Sequence, residues 1–216
     1  KVIYFSASRE LEKGAFVKDG KLVIVDEDGK LVELCGRDEL KIIGKHNVEN
    51  ALAAAAMCYY AGIEPETIAQ VLREFGGVEH RIEFVKEING VKYYNDSIAS
   101  SPTRTIAGLK AFNTPVILLA GGYDKHIPFE PMVPYIIEKV EKLYLCGATA
   151  DKIEAAVKAD KNYNGAPEII RCESIAAAVL KANAIAKSGD VVTLSPASAS
   201  FDAYPNFEER GKHYKQ

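Results

Sequence analysis

The 216-residue chain carries 27 lysines and arginines against 30 aspartates and glutamates, a formal net charge of -3, with 48% hydrophobic and 26% charged residues. That is ordinary composition for a globular protein, long enough for one large domain or two small ones. No basic stripe points to nucleic acid or an anionic membrane, and the longest apolar run, 51–61, is too short to span a bilayer.

No charged-apolar-small leader opens the chain. KVIYFS at the start is already strand-like and lacks an initiator methionine, which predicts a piece of a longer protein. The segments GAFVKDG, KLVIVDEDG and KLVEL alternate apolar and polar residues, with Asp19-Gly20 and Asp28-Gly29 as hairpin turns. An alanine-rich helix follows from about Asn47 to Ala61, apolar nearly all round and so expected to be buried, with Gly62 ending it. PETIAQVLREF is a second helix with Pro65 in its first turn. The pair Gly76-Gly77 breaks the pattern and marks a domain boundary, giving segments 1–78 and 79–216.

Beyond it, IEFVKEI and VKYYN flank Asn89-Gly90, another hairpin signal. Strands PVILLA, KLYLC, EIIRC and DVVTLS then alternate with helices TRTIAGLKAF, FEPMVPYIIEKV, TADKIEAAVKA and SIAAAVLKANAIA, with a last helix near Asn206. This rhythm predicts an α/β fold: a Rossmann-like, mostly parallel sheet flanked by helices. The four cysteines (Cys35, Cys58, Cys146, Cys172) stand singly in apolar contexts, which predicts buried free thiols in a reducing cytoplasm.

Ligands of such sheets bind beyond the carboxyl ends of the strands. Three strand ends are therefore the places for a site: after Tyr94, after Ala120 and after Leu194. In the first, Ser101 before Pro102 fits a helix N-cap, but the upstream Asp96 and Ser100 exceed what capping needs. In the second, Gly121-Gly122 allows a sharp turn, and Lys125 is either a solvated loop lysine or a partner for an anion. In the third, Ser195, Ser198 and Ser200 either cap the next helix or form a cradle for a carboxylate. No GxSxG elbow occurs, so a serine hydrolase is not expected. Asn47 is either the cap of the alanine-rich helix or, with Asn50, a reader of a base edge. Arg81, at the boundary, is either structural or a phosphate clamp. No G-x-x-x-x-G-K-[ST] loop is present.

Taken together, GKHNVENALAAA, EHRIE, YYNDSIAS, LLAGGYDK and LSPASASFDAYPNFEERG resemble the Mur ligases, the amide-forming enzymes of peptidoglycan precursor synthesis. The serine-rich segment ending in NFEERG resembles the D-glutamate-adding branch. The resemblance covers nearly the whole chain after about residue 40. It implies that segment 1–78 is the hairpin and helical tail of a central ATPase domain, and that segment 79–216 is the amino-acid-binding domain. It implies ATP and Mg²⁺, held mainly by parts upstream, and D-glutamate and UDP-N-acetylmuramoyl-L-alanine as substrates. The implied chemistry runs through an acyl phosphate and a tetrahedral intermediate, in a cytoplasmic monomer; these residues alone are expected to be inactive.

By resemblance, Asn47, Asn50, Arg81 and Asp96 contact ATP. Lys125, Ser100, Ser200 and the Phe201 backbone form the pocket for D-glutamate, lined by Phe207, with Lys125 and Asp96 nearest the chemistry. One departure stands out: the usual N-D-S-K-A-T-N carries Ile98 here in place of its lysine. Arg104, early in the next helix, is the candidate replacement cation. Two other readings are a folylpolyglutamate synthase-like ligase and a non-catalytic Rossmann-like binding module.

Overall fold

The structure, a computed structural model, describes residues 2–216. It divides into two compact units, one ending at Gly77 and the other running from Val78 to Gln216.

The first unit holds a sheet in the order β1 (Phe5–Ser6), β2 (Gly14–Lys18), β3 (Lys21–Val25) and β4 (Leu31–Gly36), parallel only between β1 and β2. Asp19 and Gly20 both take left-handed φ, 48° and 78°, as a two-residue hairpin between twisted strands requires. The β3–β4 turn is wider than the Asp28-Gly29 signal implies: the Asp26 carboxylate accepts the Asp28 and Lys30 amides at 3.0 and 2.9 Å. Helices α1 (Lys45–Tyr60) and α2 (Pro65–Glu74) complete the unit.

Helix α1 corrects the expectation of all-round burial. Val48, Ala51, Leu52, Ala55 and Ala56 form one buried stripe at helical spacing, packed with Leu22, Ile24 and Leu34, while Met57 is 69% exposed. Alanine favours helix without needing burial, so an alanine-rich run overstates the apolar face. The cysteine expectation is corrected in the same place: all four thiols are free, but only Cys35 and Cys146 are buried, and Cys58 on α1 is exposed.

The second unit is a six-stranded sheet in the order β5 (Glu83–Ile88), β6 (Val91–Asn95), β10 (Val191–Leu194), β7 (Val116–Ala120), β8 (Val140–Leu145) and β9 (Glu168–Arg171). Every pairing is parallel except the edge hairpin β5–β6. Central β7, VILLA, is buried at all five positions, which is why it shows no alternation. Helices α3 (Pro102–Leu109), α4 (Val133–Lys139) and α5 (Ala150–Ala159) follow strands that step across the sheet in one direction, and right-handed crossovers place them on one face. Helix α6 (Ile175–Ile185) carries the chain back from β9 to β10. It packs with α7 (Phe207–Lys215) on the other face, over Tyr93, Ile117, Leu119 and Tyr144. Strand β10 thus lies between β6 and β7 but leaves the sheet toward the opposite face. The chain therefore changes face at the carboxyl ends of these three strands, the place where sheets of this kind bind ligands.

Among the described residues no helix is long and apolar enough to cross a membrane.

Candidate functional site

The three loops named from sequence converge at the β10 exit. Leu194 pairs with Asn95 on one side and Leu119 on the other, so the strands end level. Past β7, the Gly121 amide donates to Pro196 O at 2.8 Å and the Tyr123 amide to Ala199 O at 2.9 Å. The Tyr123 and Phe201 rings meet edge to face at 5.9 Å. The glycine pair is obligatory. A Cβ at Gly121 would stand 1.9 Å from Cys146 O, and one at Gly122 would stand 2.3 Å from Ala199 O, both at left-handed φ. The loop bearing Lys125 is thereby laid against the loop bearing Ser200 and Phe201. Lys125 is exposed and, among the described residues, has no hydrogen-bond or ion-pair partner; Phe201 is 65% exposed, and Ser200 is buried.

Two of the three serines do not serve as an open cradle, which corrects that expectation. Ser195 Oγ donates to Asp96 Oδ2 at 2.8 Å and lies 3.1 Å from Thr105 Oγ1. Ser198 Oγ is 2.8 Å from Thr149 Oγ1. A buried hydroxyl must find a partner, and these found theirs inside the fold.

Asp96 is 4% exposed, beneath α3, and its Oδ1 accepts the Ile82 amide at 3.2 Å. Burial pushes its carboxyl up to about 7, against the opposing pull of the Ser195 and Ile82 hydrogen bonds. Both carboxylate oxygens are thus engaged internally, and one fixes the backbone beside the exposed Arg81. Ser101 occupies the N-cap position of α3 with Pro102 at its first residue, but its hydroxyl makes no capping bond and lies 3.2 Å from Thr103 Oγ1. Ser100 is half-buried in the turn before it. Arg104 Nη1 reaches back to Ile98 O at 3.3 Å, which puts a guanidinium over the position where the family motif has lysine.

Phe207 opens α7. Its carbonyl accepts Ser97 Oγ at 2.8 Å, and its ring meets that of His80 edge to face. In the first unit, the N-cap of α1 is Gly44, not Asn47. Asn47 sits in the first turn, donating from Nδ2 to Ile43 O at 2.7 Å, and Asn50 Nδ2 approaches Asn47 Oδ1 at 3.4 Å.

Three features escaped the sequence reading. Arg210, 1% exposed, donates to Ser97 Oγ, Ser97 O, Ser198 O and Ala199 O at 2.8–3.0 Å, clamping the β6 and β10 loops together. Burial lowers its guanidinium to about 10. Thr149, fully buried before α5, accepts the Gly122 amide at 3.1 Å. Buried His80 and Asn95 pair at 2.9 Å, and Gly211 must be glycine there because a Cβ would lie 2.2 Å from His80 Nδ1. Arginine in a charged helix and threonine before a helix both read as surface chemistry.

The fold is that of a mostly parallel α/β sheet domain whose strand-end loops meet at β10, where sheets of this kind bind ligands. The family model described as Mur ligase, glutamate ligase domain matches residues 80–198, and the chain belongs to that family. The UDP-N-acetylmuramoylalanine--D-glutamate ligases of Clostridium perfringens (strain 13 / Type A) and Clostridium novyi (strain NT) are 50% and 51% identical to it over 217 residues, covering 100% of this chain and 46% of each relative. The chain thus spans about half the length of these curated relatives. Among solved structures, UDP-N-acetylmuramate-alanine ligase of Thermotoga maritima superposes with a TM-score of 0.67 at 15% identity, over 98% of this chain and 46% of that one. Mycobacterium tuberculosis folylpolyglutamate synthase, complexed with ADP and AMPPCP, gives 0.59 at 14% identity, over 94% and 47%. These likenesses establish the fold.

Proposed function

We propose that this chain is the C-terminal part of a cytoplasmic, ATP-dependent ligase that joins D-glutamate to UDP-N-acetylmuramoyl-L-alanine in peptidoglycan precursor synthesis. The observation that carries the reading is the identity of about half, across the whole chain, to two relatives named for that reaction. Residues up to 78 are then the tail of the ATPase domain, and 79–216 the amino-acid domain.

In this reading the Lys125 ammonium meets the side-chain carboxylate of D-glutamate, with Ser100, Ser200, the Phe201 backbone and the Phe207 ring completing the pocket. The exposure of Lys125 and the abutment of its loop on Ala199 support this. Asn47 and Asn50 in the first unit, and Arg81 in the second, are each assigned to the nucleotide. Asp96 belongs with them as the residue that fixes Arg81, since its own oxygens are engaged within the fold. Arg104 supplies the charge that Ile98 lacks. Positioning and charge stabilisation then supply the rate, without a covalent enzyme intermediate.

Mg²⁺ is assigned to the portion of the protein upstream. Among the described residues the one candidate cluster is Glu79, His80 and Glu83. Lys215 Nζ already holds Glu79 and Glu83 at 2.7 and 2.9 Å, and a buried imidazole poorly suits an ion that prefers oxygen ligands and water.

The test is kinetic, in the complete enzyme. Lys125→Ala should raise KM for D-glutamate roughly 10- to 100-fold, the value of a lost charge-assisted hydrogen bond, while KM for ATP holds. Arg104→Ala should lower kcat. An unchanged KM for D-glutamate in the Lys125 variant would remove Lys125 from the site.

A further inference from the structure

Nothing in the sequence motifs points to the start of α5, yet both loops of the amino-acid site are fastened there. Thr149, the residue before the helix, is fully buried, and its hydroxyl has two partners: the Gly122 amide at 3.1 Å and Ser198 Oγ at 2.8 Å. Its own amide donates to Gly122 O at 3.0 Å, so Gly122 is gripped through both backbone groups. One turn on, Lys152 is ion-paired with Asp124, whose carboxylate also accepts the His126 amide at 2.8 Å. Asp124 and His126 flank Lys125, and His126 is held at a left-handed φ of 58°. The Asp124 carboxylate is held below the usual range, chiefly by the Lys152 hydrogen bond.

We propose that Thr149 and Lys152 are positioning residues for the amino-acid site. Thr149 ties the glycine loop to the serine loop, and Lys152 pins Asp124 so that Lys125 is presented toward Ser200. Neither side chain touches the amino acid; each acts through a loop that does. A lysine on a mobile loop would bind a carboxylate only after paying the entropy of ordering, and preorganisation removes that term. The inference rests on the reading above of these loops as the D-glutamate site.

The experiment compares KM for D-glutamate and for ATP in the complete enzyme, with melting temperature measured alongside. Thr149→Val, which keeps the shape and loses the hydroxyl, should raise KM for D-glutamate about tenfold and leave KM for ATP within twofold; Thr149→Ser should restore the wild-type value. Lys152→Met, at an exposed site that tolerates change, should raise KM for D-glutamate about threefold. It should have no further effect in a Lys125→Ala background, because residues acting through one another are not additive. A Thr149→Val enzyme with unchanged KM would overturn the proposal. So would parallel rises in both KM values with a fall in melting temperature, the signature of general destabilisation. If Thr149→Val does not fold, the Lys152 series decides: additivity with Lys125→Ala refutes positioning. If Lys125→Ala itself leaves KM for D-glutamate unchanged, the site assignment fails, and the positioning proposal falls with it for that separate reason.

Discussion

Asp96→Asn changes one charge and almost no volume, and the fold assigns it a pH-dependent outcome. Asn Oδ1 can still accept the Ile82 amide, and Nδ2 can donate to Ser195 Oγ, so the hydrogen-bond count is kept. The charge is what differs. Burial raises the folded-state carboxyl from 3.8 to about 7, so the native state holds its proton where the unfolded chain has released it. The stability this gives is fully present below pH 4 and is lost as pH rises through about 7. Between pH 5 and pH 8.5 the wild type should lose about 3 kcal/mol that the asparagine variant keeps, some two pH units at ~1.4 kcal/mol each. Urea unfolding at both pH values, read by NMR through the β6 and β10 amides of the second unit, measures the difference directly. The wild-type deficit relative to Asp96→Asn should grow by that amount on going from pH 5 to pH 8.5. A deficit that does not change with pH would show that Asp96 ionises freely in the fold, and the account of it as a buried acid would be wrong.

Two stability changes follow from the same loops. Arg210→Lys loses the planar fork that reaches three carbonyls and a hydroxyl, and should destabilise the second unit by about 3 kcal/mol or more in thermal unfolding; a loss under 1 kcal/mol would show that the clamp is not needed. Thr193 Oγ1 on β10 is buried without a hydrogen-bond partner. Thr193→Val should therefore be neutral or stabilise by roughly 1 kcal/mol, and a clear loss in urea unfolding would reveal a partner that the structure does not contain.

Strand and helix order in the second unit were readable because β7 and β10 are short apolar runs between amphipathic helices, and because Ser174, Asn206 and Pro102 punctuate the helix starts. The Asn89-Gly90 hairpin was readable because its conformation requires those residue types. The side on which each polar group faces was not readable. Ser195 and Ser200 lie five residues apart in one small-residue segment, yet Ser195 turns inward to Asp96. Periodicity carries no information in a segment without regular structure. Arg210 and Thr149 were hidden for a related reason: most of their partners are backbone groups 11 to 113 residues away, and a backbone amide or carbonyl leaves no mark in the sequence. Cys58 and Met57 show the opposite error, in which apolar residue types were taken as buried on a helix that packs along only one stripe.

The proposed ligase spends ATP to couple D-glutamate to a UDP-muramoyl acceptor at the carboxyl end of β10. The most direct measurement is phosphate release by that enzyme with ATP, Mg²⁺ and UDP-N-acetylmuramoyl-L-alanine, with D-glutamate, L-glutamate and D-alanine offered one at a time. Product and sustained phosphate release are expected with D-glutamate alone. Turnover with L-glutamate on a folate acceptor, or none with D-glutamate, would contradict this function.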